Sequence, residues 1–333
     1  MPDEDLLLKD VPDREFGVGV VGVCDVCHQR QAVIILSRER FKLCVLDFLN
    51  KSWIKSDEVP RAFTLPFTST TDFIPTSAVP GGVLHAIRLR PSKAVKHPLI
   101  LIAPDPVGVT TQTIEAAVRF VRAGYEVIFP DTGRIPGLSF AISFAMNRGF
   151  RFWKGTVLMP TTRRDRVLKV LDVCRRYALQ DEMVDPTRQA VYGASYGGAV
   201  ALAYAAETEG LKAVALAYPY SVSPVGRLSS IQAPVHAVYG TADMRAGTSS
   251  VALQRNLTRF GVRYTTTVLR GVGHNFLGRD EKTYRVRSAE RAWKDLLGFV
   301  HSQFEPPVPP KPNLPPGLEV TLPKAVPPVP IHS

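Results

Sequence analysis

Six short apolar runs recur between residues 97 and 269, and this repetition is what most limits how the chain can fold. They are HPLILIA (His97 to Ala103), YEVIF (Tyr125 to Phe129), QAVY (Gln189 to Tyr192), KAVALA (Lys212 to Ala217), PVHAVYG (Pro234 to Gly240) and YTTTVL (Tyr264 to Leu269). Stretches of helical spacing separate or follow them. One is 111–123; a second is 162–178, with Val167, Leu171, Cys174 and Ala178 on one face; a third is about 284–304, with Ala289, Trp293, Leu296, Leu297, Val300 and Phe304 on one stripe. Strand and helix in alternation predict an α/β fold, a mainly parallel sheet with helices on both faces. Ala62 to Thr68 and Gly82 to Leu89 are expected to form an antiparallel hairpin ahead of it.

The chain divides into three segments: 1–60, holding a cysteine cluster; 61–304, holding the α/β pattern; and 305–333, a proline-rich tail. The formal net charge is +11, but residues 1–60 carry 8 Lys and Arg against 11 Asp and Glu, so the basic character belongs to the middle segment. Such a field steers anionic substrates or surfaces and says nothing about fold. No run approaches the ~18 apolar residues needed to span a bilayer, and the acidic start MPDEDLLLKD does not read as a signal peptide. No recognisable nucleic-acid motif interleaves aromatic with basic residues.

VYGASYGGAVALAYA, Val191 to Ala205, joins a strand to a helix through Gly193, Ser195, Gly197 and Gly198. A serine hydroxyl that projects from the top of a strand needs a sharp turn, and Cβ atoms on the flanking positions collide with the neighbouring strand and helix. The G-x-S-x-G context therefore suggests a nucleophile elbow, with a plain structural turn as the competing reading. Serine needs a positioned base, and the chain supplies partners in order. Asp243 in YGTADMRAG and His274 in RGVGHNFLG each follow a strand. Ser, Asp, His in that order at C-terminal strand ends is what an α/β-hydrolase fold requires. His274 is the candidate base, Asp243 its orienting carboxylate, and the Tyr196 amide one oxyanion donor; the second is expected from the loop after HPLILIA.

Residues 61–304 resemble the dienelactone hydrolase family of α/β-hydrolases through GASYGG, GTAD with Asp243, GVGHNF with His274, AGYEVIFPD ending at Asp131, and the terminal-helix stretch AWKDLLGFV. The resemblance implies hydrolysis of a small-molecule ester, lactone or thioester. Dienelactone hydrolase itself carries a cysteine at the elbow, paired with an acidic residue after the third strand; here the pair is Ser195 and Asp105. The family's oxyanion amide falls near Pro106, which has no N–H, so Val107 is the candidate donor. The family's carboxylate-gripping arginine, four residues past the histidine, is Gly278 here with Arg279 beside it. The insertion after Asp131 brings Arg148 and Arg151, and it reads either as a lining of the substrate pocket or as an ordinary helix and loop.

In the first segment Cys24-x2-Cys27 is followed by Cys44-x2-Asp47. A knuckle, then a hairpin over Gln31 to Leu36 and Phe41 to Leu43, then a short helix from Cys44 resembles a treble-clef zinc finger. Structural zinc on Cys24, Cys27, Cys44 and Asp47 is expected, with His28 as the alternative fourth ligand. A redox C-x-x-C competes with this reading. Clustered thiols without a disulfide framework suit a cytoplasmic protein. The tail favours polyproline II and offers a possible contact for a protein partner, as does the zinc module. Two further functional readings stand beside the serine hydrolase: a non-catalytic adaptor with a spoiled oxyanion hole, and a peptidase of prolyl oligopeptidase type lacking its propeller.

Overall fold

The computed structural model describes residues 16–23, 31–36, 41–43, 67–105, 108–135, 156–157, 161–222, 224–244, 247–278 and 283–305. Near the N-terminus β1 (Phe16–Val23), β2 (Gln31–Leu36) and β3 (Phe41–Leu43) form an antiparallel sheet in that order. The β2–β3 hairpin pairs Ile34 with Leu43 and Leu36 with Phe41. The β1 strand, which pairs Val23 with Gln31, adds to the expected hairpin.

The larger sheet has eight strands. β4 (Phe67–Pro75) and β5 (Val83–Pro91) form a hairpin. β6 (His97–Ile102), β7 (Glu126–Pro130), β9 (Val184–Ala194), β10 (Leu211–Ala217), β12 (Val235–Gly240) and β13 (Tyr264–Leu269) follow the six apolar runs. Two short strands, β8 (Thr156–Val157) and β11 (Ser221–Val222), pair with each other apart from this sheet. The order is β13-β12-β10-β9-β6-β7-β5-β4, parallel from β13 to β7 and antiparallel from β7 to β4.

Five α-helices, α1 (Thr111–Arg122), α2 (Thr161–Ala178), α3 (Tyr196–Glu207), α4 (Gly247–Arg259) and α5 (Val286–Phe304), and two short 3-10 helices, Thr132–Arg134 and Val225–Ser230, complete the described fold. β6, β7 and β12 are buried at every residue because helices cover them. Val167, Leu171, Cys174 and Ala178 of α2 are buried on the expected face. On α5 the same is true of Ala289, Trp293, Leu296, Val300 and Phe304. Edge-to-face contacts of Phe120 with Tyr192 and Trp293, at 5.3 and 5.9 Å, tie α1, β9 and α5 together.

The first hairpin strand corrects the expectation over Ala62 to Thr68: it runs from Phe67 to Pro75. TSTTD has the composition of a turn, but β4 is an edge strand that buries only Phe67 and Ile74, and β-branched threonines suit its solvated face. β9 likewise starts at Val184, ahead of QAVY. Its register with β6 jumps between the Pro98–Asp185 and Leu99–Gln189 pairs, a bulge that hides the continuity of the strand.

At the antiparallel junction Glu126, wholly buried, accepts from Arg88 Nε and, at 2.8 Å, from Arg90 Nε. Asp181, three residues past the end of α2, takes Arg88 and Arg90 at 2.9 and 2.5 Å. Burial by itself raises the Asp181 carboxyl. Hydrogen bonds from Arg90 and the Met183 amide and the charges of Arg88 and Arg90 outweigh it, holding the group at about 2. Among the described residues no helix is long and apolar enough to cross a membrane.

Candidate active site

The elbow forms where β9 ends at Ala194 and α3 begins at Tyr196. Ser195 between them has φ 52° and ψ −116°, a backbone conformation that costs a non-glycine residue of order 1–3 kcal/mol. Close packing of strand and helix around the serine explains the glycines: a Cβ at Gly193 would lie 2.2 Å from Gly197 O, and one at Gly197 2.9 Å from Ala103 O. The second contact sets the loop after β6 against the first turn of α3. The Ser195 amide donates to Ala217 O at 2.9 Å, locking the turn to the end of β10.

Ser195 Oγ lies 2.9 Å from His274 Nε2, and His274 Nδ1 lies 2.8 Å from Asp243 Oδ2. The two loops that carry these partners are joined: the Ala242 amide donates to Val272 O at 3.0 Å and the Thr241 amide to Leu269 O at 2.9 Å. Thr283 Oγ1 donates to His274 O at 2.7 Å. Asp243, its side chain wholly buried, is an acceptor only when ionised, so Nδ1 carries the imidazole proton and Nε2 is left to accept from the serine hydroxyl. Burial, and after it Tyr264 and the Asp243 charge, push the neighbouring Tyr239 phenol well up from its usual range.

Two tyrosines that the sequence reading did not single out complete the surroundings of the imidazole. The Tyr218 ring lies 5.0 Å from that of His274, and the Tyr220 ring stacks on it at 5.4 Å with 26° between planes. Tyr220 Oη is 3.4 Å from Nε2. Tyr218 has φ 37° and donates through its hydroxyl to Gln112 Oε1 at 2.7 Å, so α1 braces this side of the site. The side chain of Gln112 fills the space beside Gly278, where a Cβ would meet Nε2 of the amide at 2.8 Å. The clue was the pair of tyrosines in YPY directly after KAVALA, at the same sheet end as Ser195.

Of the other expected site residues, Tyr196 opens α3, so its amide stands outside the i to i−4 ladder of that helix. Asp105 pairs with Gly108 as an isolated bridge, the Gly108 amide donating to Asp105 O at 3.1 Å, and Thr132 Oγ1 donates to the same oxygen at 3.3 Å. Val107, Arg148, Arg151 and Arg279 lie outside the described residues, as do Pro106 and the cluster of Cys24, Cys27, His28, Cys44 and Asp47. Among the described residues no group of three or more His, Cys, Asp or Glu is arranged to hold a metal. The insertion after Asp131 reaches the site's neighbourhood at two described points: Thr132 at the Asp105 carbonyl, and Thr156 and Val157 of β8, which pair with Ser221 and Val222, next to Tyr220.

Comparison with known proteins agrees with this architecture. The model of a family described as dienelactone hydrolase matches residues 84–304. A probable 2-oxo-3-(5-oxofuran-2-ylidene)propanoate lactonase from Bradyrhizobium sp is 24% identical over 225 residues, 63% of this chain and 86% of the relative. Among solved structures, a putative dienelactone hydrolase from Klebsiella pneumoniae superposes with a TM-score of 0.56 at 21% identity, covering 71% of this chain and 98% of the other. A dienelactone hydrolase-like promiscuous phosphotriesterase from metagenomic libraries gives 0.59 at 17%, covering 72% and 100%. At these identities the structural likeness is one of fold.

Proposed function

The chain belongs to the dienelactone hydrolase family and is a serine hydrolase of carboxylic esters or lactones; from that premise we propose that Ser195 is the nucleophile of an acyl-enzyme reaction, with thioesters also within its reach. His274 Nε2 takes the Ser195 proton as Oγ bonds to the acyl carbon, while Asp243 holds the Nδ1–H tautomer and stabilises the imidazolium. The amides of Tyr196 and Val107 donate to the oxyanion. Collapse breaks the bond from the acyl carbon to the leaving oxygen, which takes the proton from Nε2 and departs as the alcohol; water then repeats the sequence on the acylated serine, releasing the acid and restoring the Ser195 hydroxyl. Asp105, Arg148, Arg151 and Arg279 contact the acyl or leaving portion of the substrate. The observation that carries this reading is the unbroken relay of two hydrogen bonds, 2.9 and 2.8 Å, on a serine held at positive φ. A non-catalytic adaptor has no use for that strain.

Turnover of short p-nitrophenyl esters and labelling by a fluorophosphonate test the proposal, with wild type compared to Ser195→Ala. Labelling and turnover that vanish in the variant are expected; a folded wild type that neither labels nor turns over any ester sinks it.

The N-terminal segment is proposed to hold a structural zinc on Cys24, Cys27 and Cys44 with Asp47, or with His28 in its place. Supporting this, β1 and β3 both run toward the end of the small sheet where β2 starts, so the chain leaves β1 at Val23 and β3 at Leu43 in the same direction. Thiolates and a carboxylate or imidazole suit zinc, whose contribution is folding energy rather than chemistry. Such thiolates persist in a reducing cytoplasm, the compartment proposed here. Under half an equivalent of zinc in freshly purified protein counts against the site. The proline-rich tail, in turn, is proposed as a contact for a protein partner.

A further inference from the structure

The tripeptide Tyr218-Pro219-Tyr220 leaves β10 and is held at three points, one on β12 and two on the elbow. Tyr218 N–H donates to Val238 O at 2.7 Å, Pro219 lies where a Cβ on Gly198 would come within 2.5 Å of it, and Tyr220 N–H donates to Ser195 O at 3.2 Å. The last bond attaches Tyr220 to the carbonyl of the proposed nucleophile itself. From that anchor its ring covers one face of the His274 imidazole, and its hydroxyl reaches 3.4 Å from Nε2, the atom that Ser195 Oγ also meets. The residue is only 5% exposed, so its phenol acts where water is largely excluded and hydrogen bonds are strongest.

We propose that Tyr220 is a further catalytic residue, whose phenol O–H donates a hydrogen bond to the departing oxygen while His274 protonates it. The inference rests on the serine-hydrolase reading above. In the ground state Nε2 accepts from Ser195 Oγ, and 3.4 Å is long for a second hydrogen bond at the same lone pair. Once the serine proton has moved to Nε2, that N–H turns to the leaving oxygen, and an oxygen at hydrogen-bond distance from Nε2 also comes within reach of the phenol. As the bond between acyl carbon and leaving oxygen breaks, its electron pair goes to that oxygen, which takes the proton from Nε2. The phenol keeps its own proton throughout, so no proton is gained or lost at Tyr220. In the second half-reaction the attacking water occupies the same place and gives its proton to Nε2 beside the phenol. Stacking of the ring also keeps the imidazole plane aligned between Ser195 and Asp243.

Phenol donation matters most where the leaving oxygen becomes strongly basic, and least where it departs as a stable anion. The test is kcat/KM, which covers steps through acylation, for esters of one acyl group with alkyl, trifluoroethyl and p-nitrophenyl leaving groups. Wild type, Ser195→Ala, Tyr220→Phe and Tyr220→Leu are compared, with thermal unfolding of each. Tyr220→Phe keeps the stacked ring and is expected to lower kcat/KM about 10- to 100-fold for the alkyl ester and several-fold less for the p-nitrophenyl ester. Tyr220→Leu, which also loses the ring, is expected to lower all three. Equal losses across the series in a Tyr220→Phe protein, or no loss, overturn the proposal and leave the serine mechanism standing. Absence of Ser195-dependent turnover in wild type overturns both.

Discussion

Replacing Gly193 by alanine tests the geometry of the elbow, because the added methyl group meets backbone rather than a yielding side chain. An ideal Cβ there lies 2.2 Å from Gly197 O, 2.5 Å from Gly197 C and 2.8 Å from Gly198 N. Cβ atoms essentially never approach a heavy atom more closely than 3.0 Å. The end of β9 and the first turn of α3 must therefore separate by at least about 0.8 Å, with Ser195 lying between them. Overpacking of this kind costs about 1–3 kcal/mol, and with backbone on both sides the upper part of that range is expected. For a domain of this size that amounts to a fall in Tm of about 5–10 °C. A displacement near 1 Å of a reacting group costs about 10²-fold in rate, and here it acts on the 2.9 Å contact of Oγ with Nε2. The assay pairs kcat/KM on a p-nitrophenyl ester with thermal unfolding followed by circular dichroism. Gly298→Ala is the control. It lies in α5 with nothing within 4 Å of the position an added methyl group would take, so it is expected to stabilise by about 0.5–1 kcal/mol through helix propensity, with unaltered turnover. A Gly193→Ala protein with wild-type Tm and wild-type kcat/KM refutes the steric account of the elbow.

Two further substitutions probe the relay and the charge network. Asp243→Asn is expected to lower kcat by about 10³- to 10⁴-fold with a change in Tm of only a few degrees, since the amide preserves shape but not the acceptor-only character that fixes the tautomer; retention of a tenth of wild-type kcat argues against Asp243 as the orienting group. Asp181→Asn removes a carboxyl whose folded pKa, about 2, is depressed below its ordinary 3.8. The stabilisation it contributes is present above the ordinary value and is lost as pH falls through about 2. With the side chain 26% exposed, solvent screening reduces it to about 1 kcal/mol. Urea titrations should show that deficit at pH 6 and its disappearance near pH 2; an equal deficit at both points to a contribution unrelated to titration.

Much of this was legible in the linear chain because the signals are local. Steric exclusion of Cβ atoms acts across a few residues, and so the glycines around Ser195 announced the turn. Helical periodicity acts across a few turns, and so the buried faces of α2 and α5 could be read directly. Alternation of strand and helix, with right-handed connections, leaves one end of a parallel sheet for the loops that follow Ala194, Gly240 and Leu269. The edge strand β4 was misplaced because a solvated face needs no apolar pattern and its threonines resemble a turn.

What the chain alone determined is therefore the class of fold, the elbow, and the order of Ser195 and its two candidate partners. Tertiary structure decided what depends on pairing between distant strands. His274 meets Ser195 across 79 positions and Asp243 across 31, at distances set by the register of β9, β10, β12 and β13. The same register carries Tyr218 and Tyr220 to the imidazole 54 to 56 positions away, and brings Gln112 to Tyr218 across 106. Their place directly after KAVALA puts those tyrosines at the right end of the sheet, but no local rule gives their contacts with the imidazole, since a hydrogen bond or a stacked ring requires proximity and direction, and both come from the packing of the whole sheet.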